Sequence, residues 1–305
     1  MGKGQNKKTE IDYISRINAV FDYIEKNLDR DLSLDELAEV SCFSKYHFSR
    51  IFTGTVGETP FEFIRRVRLE KAVSMLRFHR HKTVTEIAMD CGYSDLAVFS
   101  RTFTEFFGNS PTKVRENGFK KSNIDQEIDA HNMQFERELN KNKNLEQLQR
   151  AEVLHLSEQT VAYIRYSGLY KKKRYLYEEY FNELLSWGNQ QELVTPQDAS
   201  LMAIYHDAPC VTGESKLRIS FGLPVPADIT TSGEIGKMNL PKGLFLKARF
   251  LIAPKNISVA WKWVYEYWFP RSGYRQADGL PFEVYSNFSE NEETSVEIHV
   301  PLTSL

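Results

Sequence analysis

The chain has 305 residues and a mass of 35.4 kDa, which is room for about two domains at ~150 residues each. Hydrophobic residues make up 41% and charged residues 26%, a balance that excludes a disordered or fibrous protein. No apolar run approaches the ~18 residues that cross a bilayer, the first ten residues do not predict a signal peptide, and three cysteines do not make a disulfide framework. We therefore expect a cytoplasmic protein with no membrane partner.

The net charge of −2 hides a local concentration of basic residues. Residues 45–82 contain nine basic side chains and three acidic ones. A local basic excess in a neutral chain is typical of a surface that contacts phosphate groups. A solvated helix surface has the same composition, so this count alone leaves both interpretations open.

The first part of the chain is predicted to be helical. Apolar residues recur at helical spacing over Ile11–Leu28, and a capping box of Ser33 and Glu36 predicts the start of the next helix. Further helices are predicted at 45–54, 60–78, 83–91, 95–106 and 111–116. Because no segment here alternates as a strand does, we predict an all-α domain over residues 1–118.

An internal repeat is the most specific feature of this helical part. The segment Phe48–Thr53, with the sequence FSRIFT, recurs 51 residues later as Phe99–Thr104, with the sequence FSRTFT. Each copy follows a helix that carries a small residue, Ala38 or Ala88, which lets two helices approach closely. This arrangement predicts a helix-turn-helix, and its duplication makes the prediction much stronger than a single match.

The duplicated motif resembles the DNA-binding domain of AraC/XylS-type bacterial regulators. The resemblance implies two helix-turn-helix units joined by one long helix, Phe61–Phe78. It also implies that the protein binds double-stranded DNA as a monomer. It places the DNA contacts of the two units at matching positions, namely Lys45, Tyr46, Ser49 and Arg50 in the first unit and Leu96, Ala97, Ser100 and Arg101 in the second.

The second unit departs from the family pattern at its first positions. Relatives usually carry polar side chains there, whereas this chain has Leu96, Ala97 and Val98. Apolar side chains can contact the methyl group of thymine, and Arg101 can bind phosphate or guanine. The sequence leaves open whether this helix reads bases or mainly positions the protein.

The segment after the helical domain is polar and rich in amide side chains. We predict a linker over residues 119–151, with helical character over 125–149. A rigid helix and a loose tether fit this composition equally well.

Strand patterns appear only in the last part of the chain. Strands are predicted at 161–166, 201–206, 216–223, 245–252 and 295–302, and helices at 175–187 and 257–268. When the strand that carries Glu283 is included, the order strand, helix, strand, strand occurs twice, which predicts an α+β domain of two β-α-β-β halves over residues 152–305. The succession resembles the GyrI-like module of the SOUL type, which binds small molecules. A multidomain protein with an AraC-type domain followed by a GyrI-like domain resembles the right-origin-binding regulators of efflux and stress genes. This resemblance implies multidrug-type sensing and RNA polymerase as a further partner.

One carboxylate and a group of aromatic residues are the candidate effector site. Glu283 matches a position where many GyrI-like domains carry a carboxylate, and strand alternation turns Tyr285 to the same side. The resemblance adds an aromatic helix face made of Trp261, Tyr265 and Trp268. A carboxylate with aromatic walls suits a lipophilic cation. A core helix and an exposed strand Glu are the alternatives that the residues alone leave open.

These features together predict a sequence-specific DNA-binding transcription regulator that senses a small hydrophobic or cationic ligand through its C-terminal domain. We predict no enzymatic activity, no cofactor and no metal site, since nucleotide-binding and nucleophile motifs are absent from the sequence. Two alternatives remain: a hydrolase in which Glu283 and Tyr285 activate water, and a module that sequesters a partner protein. Cys42 and Cys91 are predicted to be small buried residues.

Overall fold

The computed structural model describes residues 2–117, 147–170, 173, 175–194, 199–208, 211–253, 256–286, 288 and 292–304. Two compact units are present. The helical unit within residues 2–117 comes first in the sequence and is called the front unit, and the sheet-based unit within residues 147–304 is called the rear unit. Within these ranges, none of the helices combines the length and the apolar character that a membrane span requires.

The front unit contains seven helices within residues 2–117. They are α1 (Gly2–Lys26), α2 (Leu34–Val40), α3 (Lys45–Val56), α4 (Pro60–Phe78), α5 (Val84–Asp90), α6 (Leu96–Phe107) and α7 (Pro111–Asn117). The predicted all-α fold and the two helix-turn-helix units, α2–α3 and α5–α6, are confirmed.

Local sequence signals set the ends of these helices. A capping box begins α2 at Ser33, α4 at Thr59 and α5 at Thr83, where each hydroxyl accepts a bond from the N–H three residues on. Helices α3 and α6 both end at a glycine in the left-handed conformation, Gly57 and Gly108. The repeat therefore includes stop signals as well as core residues.

Repeated phenylalanines make the core of each helix-turn-helix. Phe48 and Phe52 of α3 are fully buried, and the Phe52 ring lies 5.7 Å from that of Phe63 on α4. Phe99 and Phe103 of α6 are also fully buried, with ring centroids 5.5 Å apart. These positions explain why the FSR-x-F pattern recurs, since the same two rings anchor each second helix.

The turn of each helix-turn-helix needs a left-handed residue. In the second unit this residue is Gly92, with φ +76°, and a Cβ there would lie 2.3 Å from the carbonyl oxygen of Leu28. The equivalent residue of the first unit is Cys42, with φ +53°. Cys42 is exposed, so the prediction that it is buried is wrong, because the left-handed turn directs its side chain outward. Cys91 is buried as predicted.

The rear unit is a sheet with helices. Its elements are β1 (Leu148–Leu156), β2 (Gln159–Ser167), α8 (Tyr175–Gln190), β3 (Ser200–Tyr205), a 3-10 turn (Glu214–Lys216), β4 (Arg218–Pro224), β5 (Gly236–Leu240), β6 (Gly243–Ile252), α9 (Ile257–Lys262), a π-helical turn (Trp263–Trp268), α10 (Phe269–Ser272), β7 (Tyr274–Gln276), β8 (Phe282–Ser286) and β9 (Thr294–Ser304). The strand order is β1-β6-β9-β8-β3-β4-β2-β5, with β7 beside β9.

The predicted pair of β-α-β-β halves is confirmed. Strands β2, β3 and β4 with α8 make one half, and β6, β8 and β9 with α9 and α10 make the other. The halves join where β3 pairs with β8, and this register sets Ala203 opposite Glu283 and Leu201 opposite Tyr285. Strand β1 comes just before the first half in the sequence but pairs with β6 of the second half. Strand β5 comes just before the second half but lies beside β2 of the first half.

The structure corrects the predicted boundary of the rear domain. Strand β1 begins at Leu148, inside the segment 119–151 that was predicted as a linker, and the helical prediction over 125–149 is wrong at its end. The remainder of the predicted linker, residues 119–146, lies outside the described residues. Strand β1 is an edge strand with little burial, which explains why its sequence lacks the alternation of a strand.

The two faces of the sheet carry different cores. One face holds Tyr163, Ile204 and Phe282 in an apolar cluster. On the other face the rings of α8 pack against Phe221 and those of the second-half helix against Phe250. Since register places Glu283 on this second face, the carboxylate lies between the sheet and the helices.

Candidate DNA interface and effector site

The first recognition helix, α3, projects polar side chains from a buried base. Phe48 fixes the helix from below, whereas Tyr46 is 80% exposed and Lys45 and Arg50 are also exposed. Ser49 is half-buried. The predicted contact residues of the first unit thus lie at the start of one helix, as groove reading requires.

Neighbouring side chains order parts of this surface. Lys45 Nζ lies 2.7 Å from Asp35 Oδ2, and Arg50 Nη2 lies 3.5 Å from Nδ1 of His47. The exposed pair of Lys45 and Asp35 is a weak interaction that a phosphate could replace.

The second recognition helix, α6, presents an apolar surface. Leu96 is 40% exposed and Val98 is 43% exposed, and Ala97 between them is exposed as well. Arg101 is exposed one turn further along, and Ser100 is half-buried. The helix begins at Asp95, whose Oδ1 accepts bonds from the backbone N–H groups of Ala97 at 2.6 Å and Val98 at 2.9 Å.

The basic excess over residues 45–82 is only partly a surface feature. Arg66 is 4% exposed and its guanidinium lies 2.7 Å from Glu58 Oε1 and 3.0 Å from Glu70 Oε2. Arg68 donates to the backbone carbonyl of Leu28 at 2.9 Å. Because these cations serve the fold, the charge count overstates the phosphate-contacting surface. Exposed basic residues of the window are Lys45, Arg50, Arg65, Arg77 and Arg80.

The carboxylate of Glu283 is the centre of the rear site. Its side chain is fully buried, with Oε1 accepting a bond from Trp261 Nε1 at 2.5 Å and Oε2 accepting a bond from the Tyr285 hydroxyl at 2.5 Å. The small side chain of Ala203 is its partner across the strand pair. Glu283 and Tyr285 therefore lie on one side, as strand alternation predicts.

Three tyrosines that the sequence reading missed extend this site. The Tyr205 ring meets that of Trp261 edge-on at 5.6 Å, and its hydroxyl lies 3.1 Å from that of Tyr177. The Tyr170 ring lies 6.0 Å from that of Tyr205. The Tyr170 hydroxyl is buried and has no hydrogen-bond partner among the described residues. Its position after Gly168, beyond the end of a strand, carries no local signal for a site.

The hydroxyls of Tyr205 and Tyr170 stay neutral beside the carboxylate. Burial, together with the nearby charge of Glu283, raises the pKa of Tyr205 well above its usual value. Burial also raises the pKa of Tyr170. Neither phenol therefore ionises near neutral pH, and both remain neutral hydroxyl groups beside Glu283.

The helix beside the site has an aromatic row with an unexpected spacing. Trp261 stacks on Tyr265 with centroids 5.9 Å apart, and Tyr265 stacks on Phe269 at 5.6 Å. Trp268 instead stacks on Tyr274 at 6.1 Å, away from this row. A π-helical turn has more residues per turn than an α-helix, so Phe269 occupies the place in the row that α-helical spacing assigns to Trp268.

Within the residues that the structure describes, no group of three or more His, Cys, Asp or Glu side chains is arranged to hold a metal ion. Among the described residues, the site offers the Glu283 carboxylate, indole and phenol donors, and aromatic ring faces. Such a site can bind a cation through charge and through the ring faces.

Two units with these geometries define a class of protein, a helix-turn-helix DNA-binding domain combined with a ligand-binding α+β domain. The family model of a helix-turn-helix domain matches residues 37–117, and that of the GyrI-like small molecule binding domain matches residues 151–303. The second match covers half of the chain, and the chain belongs to the GyrI-like family. The predicted succession of the two domain types is thereby confirmed.

Individual relatives match mostly the front unit. The chain is 35% identical over 104 residues to the probable transcription factor PqrA of Proteus vulgaris, a match that covers 33% of this chain and 84% of PqrA. It is 38% identical over 100 residues to an HTH-type transcriptional regulator of Staphylococcus aureus (strain COL), of which it spans 13%. Among solved structures, the EcmrR C-terminal domain is similar at 18% identity and a TM-score of 0.39, covering 51% of this chain and 98% of that domain.

Proposed function

We propose that this protein is an AraC-type transcription regulator that binds specific DNA sequences and responds to a small molecule held in its GyrI-like domain. The observation that carries the proposal is the duplicated helix-turn-helix, in which equivalent buried rings support two exposed helix surfaces. The family match of the rear unit supports the small-molecule part. We place the protein in the bacterial cytoplasm, where the chromosome is.

A single chain has both recognition helices, so it covers a complete DNA site without a partner subunit. Two such helices read adjacent major grooves about 34 Å apart on one face of the duplex. We therefore propose that the protein binds as a monomer, with RNA polymerase as its neighbour at the promoter.

Arg50 is proposed as the main base-reading residue of the first unit. Its guanidinium is exposed on α3, and an arginine there can bind O6 and N7 of guanine. Binding-site selection from random duplexes with the full-length protein, repeated with Arg50→Ala, tests this role. Loss of about 1–3 kcal/mol at one base step supports base reading, whereas an equal loss on every sequence means that Arg50 holds phosphate. Salt titration of both proteins measures the phosphate contribution.

The rear site is proposed to take a lipophilic cation. Glu283 is fully buried, and the bonds from Trp261 and Tyr285 come from neutral donors. A cationic ligand adds a charge interaction to these bonds, and burial strengthens the attraction between opposite charges. The ring faces of Tyr205, Trp261 and Tyr265 add cation–π attraction. Trp261 is half-exposed and touches the carboxylate, so it reports on occupancy through its fluorescence.

A matched pair of probes tests the charge requirement. Benzyltrimethylammonium and neopentylbenzene have nearly the same shape and differ in charge. We expect the cation to bind at least tenfold more tightly than the neutral probe, as measured by titration of tryptophan fluorescence. Glu283→Gln is expected to remove this difference in affinity. Equal binding of both probes contradicts the cation proposal and leaves a hydrophobic effector.

Binding rather than turnover is the proposed role of Glu283. Each carboxylate oxygen already accepts a short hydrogen bond from the protein, and this weakens the carboxylate as a base toward water. Recovery of unchanged probe after long incubation supports a sensor, and its consumption supports the hydrolase alternative. If the full-length chain binds neither probe but captures a partner protein, the result supports the sequestering alternative.

A further inference from the structure

The two recognition helices present different chemistry at equivalent positions. Helix α3 starts with Lys45 and Tyr46, which carry an ammonium group and a phenol. Helix α6 starts with Leu96 and Ala97, followed by Val98, and all three side chains are exposed. Ser49–Arg50 and Ser100–Arg101 then repeat. Helix α6 thus has the same core residues and the same arginine as α3, but its first turn is apolar.

The start of α6 is also closed to phosphate. Oδ1 of Asp95 takes the N–H groups of Ala97 and Val98, which a phosphate at a helix start would otherwise use. The negative charge of Asp95 repels a phosphate as well. By contrast, Ser44 at the start of α3 makes no side-chain capping bond within the part of the chain that the structure describes. The first turn of α6 therefore offers a phosphate fewer N–H groups than the first turn of α3 does.

We propose that α6 reads thymine methyl groups in the major groove through Leu96, Ala97 and Val98, an inference that rests on the proposed function of DNA binding. The C5 methyl of thymine is an apolar group on the floor of that groove, among hydrogen-bonding groups that these side chains cannot satisfy. Arg101, one turn further along, supplies the polar contact that fixes the helix in the groove. The second half-site is accordingly thymine-rich, and the first is read by hydrogen bonds.

The position in the repeat identifies DNA as the occupant of this apolar surface. Phe99 and Phe103 hold α6 by the same buried positions that Phe48 and Phe52 use in α3. If α6 instead bound a partner protein, the equivalent faces of the two repeated helices would have to bind different kinds of molecule. The arginine that follows the apolar turn, at the position of Arg50, fits the polyanion that α3 faces.

Deoxyuridine tests this inference because it lacks only the methyl group of thymidine. Full-length protein is titrated onto its selected duplex, in which each thymidine is replaced in turn by deoxyuridine. We expect about a fourfold loss of affinity per contacted methyl, which corresponds to ~0.8 kcal/mol. The sensitive positions lie in one half-site only.

Paired variants assign the effect to α6. Leu96→Ala combined with Val98→Ala shortens two of the three apolar side chains and is expected to weaken the discrimination between thymidine and deoxyuridine at the sensitive positions, whereas Tyr46→Ala keeps the discrimination. Both variants alter exposed side chains, and circular dichroism checks that they are folded. Specific binding in which deoxyuridine is tolerated at every position, or in which the double variant discriminates as strongly as the unaltered protein, overturns the inference. Absence of any sequence preference overturns the proposed function itself.

Discussion

Substitution of Gly92 by alanine tests how the two helix-turn-helix units are joined. A Cβ at Gly92 would lie 2.3 Å from the carbonyl oxygen of Leu28 and 2.7 Å from the guanidinium of Arg68. That guanidinium donates to the carbonyls of Leu28 at 2.9 Å and Arg30 at 2.6 Å. The methyl group therefore displaces Arg68 and weakens charged hydrogen bonds worth ~1.5–3 kcal/mol each. With the left-handed backbone adding about 1 kcal/mol, we expect a loss of at least ~3 kcal/mol.

Gly108→Ala is the matched control for this substitution. Gly108 has nearly the same φ, +71° against +76°, but a Cβ there meets no atom of the described residues within 4 Å. We expect this control to lose only about 1 kcal/mol, from the left-handed backbone. The difference between the two variants isolates the collision at Gly92.

Urea unfolding of the full chain measures both losses. All four tryptophans follow residue 186, so tryptophan fluorescence reports the rear unit, while circular dichroism at 222 nm also follows the front helices. A difference of ~2 kcal/mol moves the front transition by about 1 M urea. Equal midpoints for Gly92→Ala and Gly108→Ala would refute the close approach of Leu28 and Arg68 to the turn.

Three further stability effects follow from the structure. Cys42→Gly is expected to stabilise the front unit by about 1 kcal/mol, because it relieves a left-handed cysteine with φ +53°, and a lowered circular-dichroism midpoint would contradict this. Arg66→Ala is expected to cost ~3–5 kcal/mol in the same assay, because it leaves two buried carboxylates without their cation, and a surface-like loss below 1 kcal/mol would count against the buried network. Burial lowers the pKa of His299 to about 4, so the folded rear unit keeps the ring neutral while the unfolded chain protonates it below about pH 6.5. The free energy of unfolding of the rear unit is therefore undiminished by His299 above pH 6.5 and falls by about 3 kcal/mol as the pH drops to 4. In His299→Phe this pH-dependent loss should be absent when unfolding is followed by fluorescence at a series of pH values.

The helical unit could be predicted closely because its signals are local. The predicted helix over 60–78 is the observed α4, since Thr59, Pro60 and Glu62 mark its start within one turn. Strands depend on partners distant in sequence. The edge strand β1 and the short strands β5 and β7 were missed, because they have little burial or too few residues to show alternation.

The rear site shows the same division between local and distant information. Alternation along one strand is enough to bring Glu283 and Tyr285 together. Tyr205 joins them only because β3 pairs with β8, and Trp261 because a helix crosses this face of the sheet. The buried ion pairs of Arg66 are likewise invisible to a count of charges, since the count cannot distinguish a core arginine from a surface one.

Binding of the full-length protein to its selected duplex and to a scrambled duplex of equal length and composition tests sequence-specific recognition most directly. Fluorescence anisotropy at near-physiological salt gives both dissociation constants. Two base-reading helices on one chain predict a preference of a thousandfold or more for the selected duplex, the lower end of the range that specific DNA-binding proteins reach. Equal affinity for the two duplexes would contradict the assignment as a sequence-specific regulator.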